Sequence, residues 1–207
     1  MLRIISGTNK RKRLRTPQGT DTTRPLPDFV REAMFNLLRG HFEGETVLDV
    51  FAGSGSFGLE AHSRGAARVV LIEQNKKVAA ILRENVEELN AGDQCEVLEA
   101  DALGPLALGR APNPVHIVFF DPPYPLINDP ARRDFVWRQF SRAVDLLDDT
   151  GYAIMRTPSP YVDFVPREKD PEYNDRVPIS LEVENALGPE THEYGTTAIH
   201  LYMKKQG

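Results

Sequence analysis

Residues 47–60 read Val-Leu-Asp-Val-Phe-Ala-Gly-Ser-Gly-Ser-Phe-Gly-Leu-Glu, and this stretch decides the fold. Its first five residues are apolar apart from Asp49, as in a strand that is covered on both faces. Gly53, Gly55 and Gly58 follow in a turn where a ligand can approach the backbone closely, and the helix after it offers free N–H groups. The stretch therefore predicts a strand, a turn that cradles a small molecule, and a helix.

The glycines alone do not choose the ligand, because Gly53-x-Gly55-x-x-Gly58 also matches the dinucleotide fingerprint and leaves NAD open. Asp49 argues against a pyrophosphate, since its charge would repel that dianion. S-adenosylmethionine instead carries an ammonium group and a sulfonium, which a carboxylate attracts, and a carboxylate of its own that can accept the turn's N–H groups. From this stretch we expect the cofactor to contact Asp49, Phe51, Gly53, Ser54 and Gly55.

Length and composition indicate one globular domain of 207 residues that is 41% hydrophobic. No apolar run approaches the ~20 residues that span a bilayer, and the first residues lack a secretory signal, so we expect a cytoplasmic protein. The single cysteine, Cys95, excludes an internal disulfide and is expected to be a buried structural thiol. The five histidines show no ligand spacing, so no protein-bound metal is predicted.

Charge is distributed unevenly along the chain. Residues 1–24 hold seven basic residues and one acid, which gives them a local charge of +6. Because the net charge of the whole chain is −5, the remaining residues carry a charge of −11. This composition predicts a basic N-terminal arm (1–24) on an acidic body (25–207), and the arm is expected to form a small hairpin that contacts a polyanion. A solvated tail remains the alternative. The expected contacts are Lys10, Arg11, Lys12, Arg13, Arg24 and Arg31.

Acids also close the next two predicted strands. Glu73 ends the strand 68–73, about 20 residues after the first glycine, where a carboxylate can hold both hydroxyls of a ribose. Asp101 ends the strand 96–102, and either its carboxylate or the Ala102 backbone is expected to meet the exocyclic amine of an adenine. Asn75 is expected to cap the helix between them.

A second chemical centre follows the apolar strand 115–120, where two prolines stop the strand and leave Asp121 at its carboxyl end. An exocyclic purine amine is a poor nucleophile because its lone pair is delocalised into the ring. Two acceptors, the Asp121 carboxylate and the Pro122 carbonyl, would favour a pyramidal nitrogen that aims this lone pair at a methyl group. Tyr124 offers a flat face on which a flipped-out base can stack.

The remaining elements are predicted from periodicity and from turn residues. We expect Asp28 to cap a helix to about Leu38, and Asp129 to cap a helix that buries Phe135 and leaves Trp137 off its apolar face. Residues 157–176, rich in proline and acids, are expected to form a loop. Alternating residues predict strands at 179–183 and 196–203, with the turn between them marked by 188–189 and Gly195.

In this order and spacing, the glycine turn with Asp49, the acid Glu73 and the Asp-Pro-Pro-Tyr strand end resemble class I S-adenosylmethionine-dependent amino-methyltransferases. The stretches 3–7, 24–35, 49–66 and 194–198 resemble, more narrowly, bacterial 16S ribosomal RNA guanine-N2 methyltransferases. Asp-Pro-Pro-Tyr is shared with adenine-modifying enzymes, so the guanine assignment depends mainly on the N-terminal stretch. Arg11 departs from the family pattern, in which glycine is common at this place in the arm.

The resemblance implies a doubly wound, Rossmann-like α/β domain whose seven-stranded, mostly parallel sheet closes with an antiparallel hairpin, preceded by the small arm. It implies that Asp49, Gly53, Gly55, Glu73 and Asp101 hold S-adenosylmethionine and that Asp121 and Tyr124 hold the guanine. The implied partner is 16S ribosomal RNA in the small subunit, bound by a cytoplasmic monomer. An adenine-N6 methyltransferase and a non-catalytic RNA-binding assembly factor stay open as alternatives.

Overall fold

The structure, a computed structural model, describes residues 2–17, 26–167 and 170–206. The helices are α1 (Asp28–Leu37), α2 (Gly58–Ser63), α3 (Lys76–Glu88), α4 (Tyr124–Asn128) and α5 (Pro130–Val144), with a 3₁₀ turn at Leu108–Arg110. The strands are β1 (Thr46–Asp49), β2 (Arg68–Glu73), β3 (Cys95–Glu99), β4 (Val115–Phe120), β5 (Leu147–Pro158), β6 (Val162–Arg167), β7 (Asp170–Pro178), β8 (Ala186–Tyr194) and β9 (Thr197–Lys204).

Seven strands form one sheet in the order β3-β2-β1-β4-β5-β9-β8. The first five are parallel, whereas β9 runs antiparallel to both β5 and β8. The chain order reverses between β1 and β4, and in doubly wound sheets ligands bind at the carboxyl ends of the strands at such a reversal. The predicted fold class is confirmed, and the Asp49 and Asp121 strand ends lie side by side at this point.

Each face of the sheet has its own apolar core, as expected for strands that are covered on both sides. On one face α1, α2 and α3 pack against residues such as Val47, Val69 and Phe119. On the other face α5 packs against Val118 and Phe120. Cys95 is buried at the start of β3, and burial raises the pKa of its thiol to about 12, which confirms the expected structural cysteine.

The described part of the arm forms a hairpin closed by an antiparallel bridge between Arg3 and Arg13. It packs on the body, because Ile4 and Leu14 are buried in the core cluster that also holds α1. The buried carboxylate of Glu60 accepts hydrogen bonds from the backbone N–H groups of the arm at positions 5 and 6, at 2.6 and 3.0 Å. The arm is therefore clamped to α2.

Two helix predictions are partly wrong. Asp28 is the first residue of α1, not its cap, since the cap position is Pro27 and the Asp28 carboxylate accepts from Arg31 instead. In α5, Phe135 is 57% exposed, whereas Trp137 packs against Phe140 and Tyr161. Tyr161 follows β5 and supplies a second surface beside the helix, so the buried stripe is rotated toward Trp137.

The region after β5 also differs from its prediction. Residues 157–176 are not a loop, because β5 extends to Pro158 and is followed by an antiparallel ribbon of β6 and β7. The strand predicted at 179–183 is absent from that range, and β8 begins later, at Ala186. Gly188-Pro189 is not the turn but lies at a register shift inside β8, whereas the turn with Gly195 and the final strand are confirmed.

Folding brings together residues that are distant in the sequence at the amino ends of β1, β4 and β5. His41 Nδ1 lies 2.9 Å from His116 Nε2, and His116 Nδ1 lies 2.8 Å from Asp148 Oδ2. Glu45 completes a group of one histidine and two acids with His116 and Asp148.

Among the described residues, none of the helices combines the length and the apolar content that crossing a membrane requires.

Candidate active site

A cavity of about 720 Å³ lies at the carboxyl ends of β1, β2 and β4. This volume is within the range of about 300–1,000 Å³ that is usual for small-molecule sites. Its wall combines the glycine turn, the Glu73 strand end and the Asp121 strand end. Apolar wall residues are Val50, Phe51, Phe57, Ile72, Val78 and Ala102. The two chemical centres predicted from the sequence thus share one cavity.

Asp49 is fully buried directly beneath the glycine turn. Its Oδ2 accepts a hydrogen bond of 2.9 Å from the Gly58 N–H at the start of α2, and Oδ1 has no partner among the described residues. The pKa of Asp49 is raised to about 7, mainly by burial and to a smaller extent by the nearby charges of Asp121 and Glu73, although the Gly58 hydrogen bond lowers it. Glu73 and Asp121 bring negative charge to the cavity wall with Asp49 buried behind it, and Arg156 pairs with Asp121 at the other side of the cavity.

The three glycines of the turn have different physical roles. Gly53 has a φ of +54° and open space where a side chain would stand, so its backbone can meet a ligand. Gly55 and Gly58 face the protein instead: a Cβ would lie 2.6 Å from Leu82 at the first and 2.7 Å from Leu71 at the second. Gly55, expected at the cofactor, therefore serves the packing behind the turn.

Glu73 lies on the cavity wall with both carboxylate oxygens held in place. Oε2 accepts from the Gly53 N–H at 3.0 Å, and Oε1 accepts from the Asn75 N–H at 2.7 Å. Asn75 caps α3 as predicted, because its side chain accepts from Lys77 and Val78. Each carboxylate oxygen can accept more than one hydrogen bond, so Glu73 keeps capacity for two ribose hydroxyls.

The tip of β3 resolves the choice between Asp101 and Ala102. Ala102 lines the cavity, and its carbonyl is held by Gln139 Nε2 at 2.8 Å. Asp101 is exposed, and its carboxylate caps its own loop by accepting from Leu103 N at 3.0 Å. Of the two, the structure brings Ala102 to the cavity, and the Asp101 contact expected from the sequence does not fit this geometry.

Asp121 and Tyr124 lie on either side of a residue that the sequence did not single out. Arg156, near the end of β5, donates from Nε to Asp121 Oδ1. Its guanidinium carbon lies 4.8 Å from the centre of the Tyr124 ring, and the ring's hydroxyl is bonded to Thr197 Oγ1 at 2.7 Å. The ring face expected to receive a base is therefore covered. Pro122, which follows Asp121 in the sequence, is buried.

No local pattern marks Arg156, because a single arginine near a strand end is common. The signal that could have found it is topological. In a parallel sheet the carboxyl ends of neighbouring strands share one edge, and β5 pairs with β4 in register through Phe120 and Met155. The residue after Met155 must therefore lie beside the residue after Phe120, which is Asp121.

The expected RNA-binding residues divide into three groups. Lys10, Arg11, Lys12 and Arg13, here called the basic cluster, are all exposed, and none pairs with an acid in the described part of the chain. Arg24 lies outside the described residues. Arg31 is 1% exposed and bonds Arg3 O at 2.6 Å and Asp28 Oδ1 at 3.0 Å. This burial corrects the expectation that Arg31 faces RNA, since it instead ties the arm to α1.

Comparison with known proteins identifies the family of this chain. Residues 2–131 match the family model described as conserved hypothetical protein 95. The chain belongs to this family. Ribosomal RNA small subunit methyltransferase D of Escherichia coli strain K12 is 37% identical over 151 residues, which cover 73% of this chain and 69% of that protein. YlbH of Bacillus subtilis, a proposed rRNA methyltransferase, is 36% identical over 124 residues, covering 59% and 67% of the two chains.

Solved structures extend the likeness over the rest of the fold. The fold of this chain matches that of yhhF of Escherichia coli, a proposed methyltransferase, with a TM-score of 0.74 and 29% identity. The match covers 99% of this chain and 98% of that one. The sequence match of the family model ends at residue 131, whereas the structural match continues through β5 to β9. The likeness in fold therefore extends beyond the residues that the family model matches.

Proposed function

We propose that this protein transfers a methyl group from S-adenosylmethionine to the exocyclic N2 of a guanine in 16S ribosomal RNA. The observation that carries the proposal is the single cavity in which the glycine turn and Glu73 face Asp121. Family membership supports methyl transfer to ribosomal RNA, and the N-terminal stretch supports guanine. Absence of a bilayer-crossing helix in the described part of the chain is compatible with action as a cytoplasmic monomer on the small subunit.

The residues of the cavity fit S-adenosylmethionine, which would supply a methyl group on a positively charged sulfur. Asp49, Glu73 and Asp121 would attract its ammonium and sulfonium charges, and they would repel the pyrophosphate of a dinucleotide. Gly53 and Ser54 would meet its methionine end, Glu73 its ribose hydroxyls, and Phe51, Ile72 and Ala102 the adenine ring. The unpartnered buried Oδ1 of Asp49 is an additional reason to place a cation here.

Asp121 and the Pro122 carbonyl would act on the nucleophile. Accepting the two amine hydrogens holds the nitrogen in a pyramidal shape and directs its lone pair toward the methyl group. The carboxylate also stabilises the positive charge that develops on this nitrogen before it loses a proton. Tyr124 holds the end of this site in place through hydrogen bonds to Thr157 O and Thr197 Oγ1.

The basic cluster would bind the RNA backbone. Its four charged side chains are exposed, and they lie in the turn of the arm hairpin and just after it. Arg11 has a φ of +70°, a left-handed conformation that costs a residue with a side chain free energy and favours glycine. The exposed charges of the cluster support a contact with phosphates. Arg24 would extend this contact.

The test is methyl labelling of small subunits that lack the modification, compared with their naked RNA. Digestion of the labelled RNA is expected to yield N2-methylguanine, and mapping identifies the nucleotide. N6-methyladenine would replace the proposal by an adenine enzyme, which the shared Asp-Pro-Pro-Tyr motif permits. Absence of any turnover with bound cofactor would favour a non-catalytic assembly factor.

Asp121→Ala tests the role of the carboxylate in the same assay. We expect turnover to fall at least about a hundredfold, the scale on which loss of a well-placed polar group acts on a transition state. Asp134→Ala is the matched control, because Asp134 is an exposed carboxylate on α5. Equal turnover in the Asp121 variant and the control would reject the mechanism while leaving the reaction itself intact.

A further inference from the structure

Arg156 separates the cavity from the aromatic ring that was expected to receive the base. Asp121 and Arg156 line the cavity among the described residues, and Tyr124 does not. The Arg156 guanidinium carbon lies 4.8 Å from the centre of the Tyr124 ring, and Nη1 donates to the Tyr124 hydroxyl at 3.4 Å. A base that enters from the cavity therefore meets the guanidinium first.

Two contacts hold the Arg156 guanidinium in place. Its Nε is held by Asp121 Oδ1, its central carbon lies over the Tyr124 ring, and the ring is anchored by Thr197 Oγ1 at 2.7 Å and Thr157 O at 3.2 Å. The Arg156 side chain is 12% exposed, so few other orientations are open to it. Arg156 also lines the cavity, so the guanidinium contacts the tyrosine and borders the space that a base can enter.

The same contact leaves half of the Asp121 carboxylate for substrate. Oδ1 accepts from Arg156, and Oδ2 accepts no hydrogen bond from the described residues. The ion pair thereby sets the rotation of the carboxylate. An incoming amine can donate to Oδ2 without displacing the arginine.

We propose that Arg156 positions the target base: the base stacks on the guanidinium, which Tyr124 backs, and donates its amine to the Asp121 oxygen that Arg156 leaves free. The inference rests on the proposed function and names the surface that holds the base in that reaction. Nucleic-acid bases stack on arginine planes as well as on aromatic rings. Tyr124 acts through Arg156 and does not touch the base.

The test compares Arg156→Lys with Arg156→Met, because lysine keeps the charge but lacks the plane. Both variants are expected to lower kcat/KM for the RNA about tenfold or more, the size of one lost base stack. The affinity for S-adenosylmethionine, measured by calorimetry, should stay within about twofold for the lysine variant and should not weaken for the methionine variant, since removing a cation from the cavity wall favours a cationic ligand.

Other outcomes overturn the inference. Faster turnover in either variant would make Arg156 a lid that blocks the base. Full activity of Arg156→Lys would show that charge alone suffices, and full activity of Arg156→Met would remove any role. The wild-type protein in the same assay reports separately on the proposed function, because failure there means no N2-methylguanine from any form of the enzyme.

A double-mutant cycle with Tyr124→Leu gives a second, independent readout. If Tyr124 only backs Arg156, its loss should add little to the Arg156→Met defect, so the double variant should be within about twofold of Arg156→Met alone. Additive defects would mean that the ring itself contacts the base. Melting temperatures with and without S-adenosylmethionine identify any variant that does not fold.

Discussion

Asp49→Asn should remove a pH dependence from the stability of the cofactor-free protein. The wild-type carboxyl group has a pKa of about 7 in the folded state because it is fully buried, against 3.8 when unfolded. Since the folded pKa is the higher one, the stabilising effect of this group is fully present below pH 3.8 and is lost as the pH rises to 7. The shift of about three pKa units corresponds to about 4 kcal/mol across that window.

The asparagine variant isolates this one group. Its side chain has nearly the same shape, and its oxygen can still accept from the Gly58 N–H, but it carries no charge at any of these pH values. Urea unfolding of both proteins between pH 4.5 and pH 8 therefore measures the difference between them, from which the titration of all other groups cancels. We expect the variant to gain stability relative to wild type by about 3 kcal/mol over this range.

Cofactor binding supplies the second half of the experiment. A cation beside Asp49 favours the charged carboxylate, so the affinity of the wild-type protein for S-adenosylmethionine should rise as the pH increases through 7. The affinity of the variant should be weaker at pH 8 and should vary less with pH. Parallel stability curves for the two proteins would refute the argument, because Asp49 would then be charged in the folded state without cost.

Two further predictions concern the arm. Neutralising the basic cluster to glutamine should weaken RNA binding and lower the slope of log K against log salt by about 3, as expected for four lost phosphate contacts, with S-adenosylmethionine affinity unchanged; an unchanged slope would make the arm a solvated surface. Gly7→Ala should detach the arm, because a Cβ at this position would lie 1.6 Å from the Ser63 carbonyl oxygen. Trypsin should then cleave the arm faster than it does in the control Gly44→Ala, where the φ of +77° adds strain without a clash. Equal cleavage of the two variants would refute the attachment of the arm to α2.

Much of the fold and of the cofactor half of the site was predictable from local patterns. Buried parallel strands consist of apolar runs, and Gly53, Glu73 and Asp121 each stand where such a run stops, so their place at one sheet edge follows from the topology. The cap at Asn75 was predictable for the same reason, because a cap acts on its own helix. These features depend on neighbours that are close in the sequence.

Predictions failed where distant segments decide the environment of a residue. Trp137 is partly buried because Tyr161 packs beside α5. Phe135 is exposed on the surface of the helix, where Arg138 of the same helix lies over its ring. The prolines and acids of the ribbon of β6 and β7 predict a loop, because they obscure the pairing of its strands. Its strands pair with each other outside the main sheet, so they need no apolar alternation.

Local sequence patterns specify the strand, the glycine turn and the carboxylates at the strand ends, since periodicity and backbone conformation act over a few residues. The side chains that surround these groups come from folding in three dimensions. Folding assigned Gly55 to packing, buried Arg31 under the arm, and set Arg156 between Asp121 and Tyr124. The physical reason is that burial and charge pairing depend on contacts through space, 35 residues apart along the chain for Asp121 and Arg156.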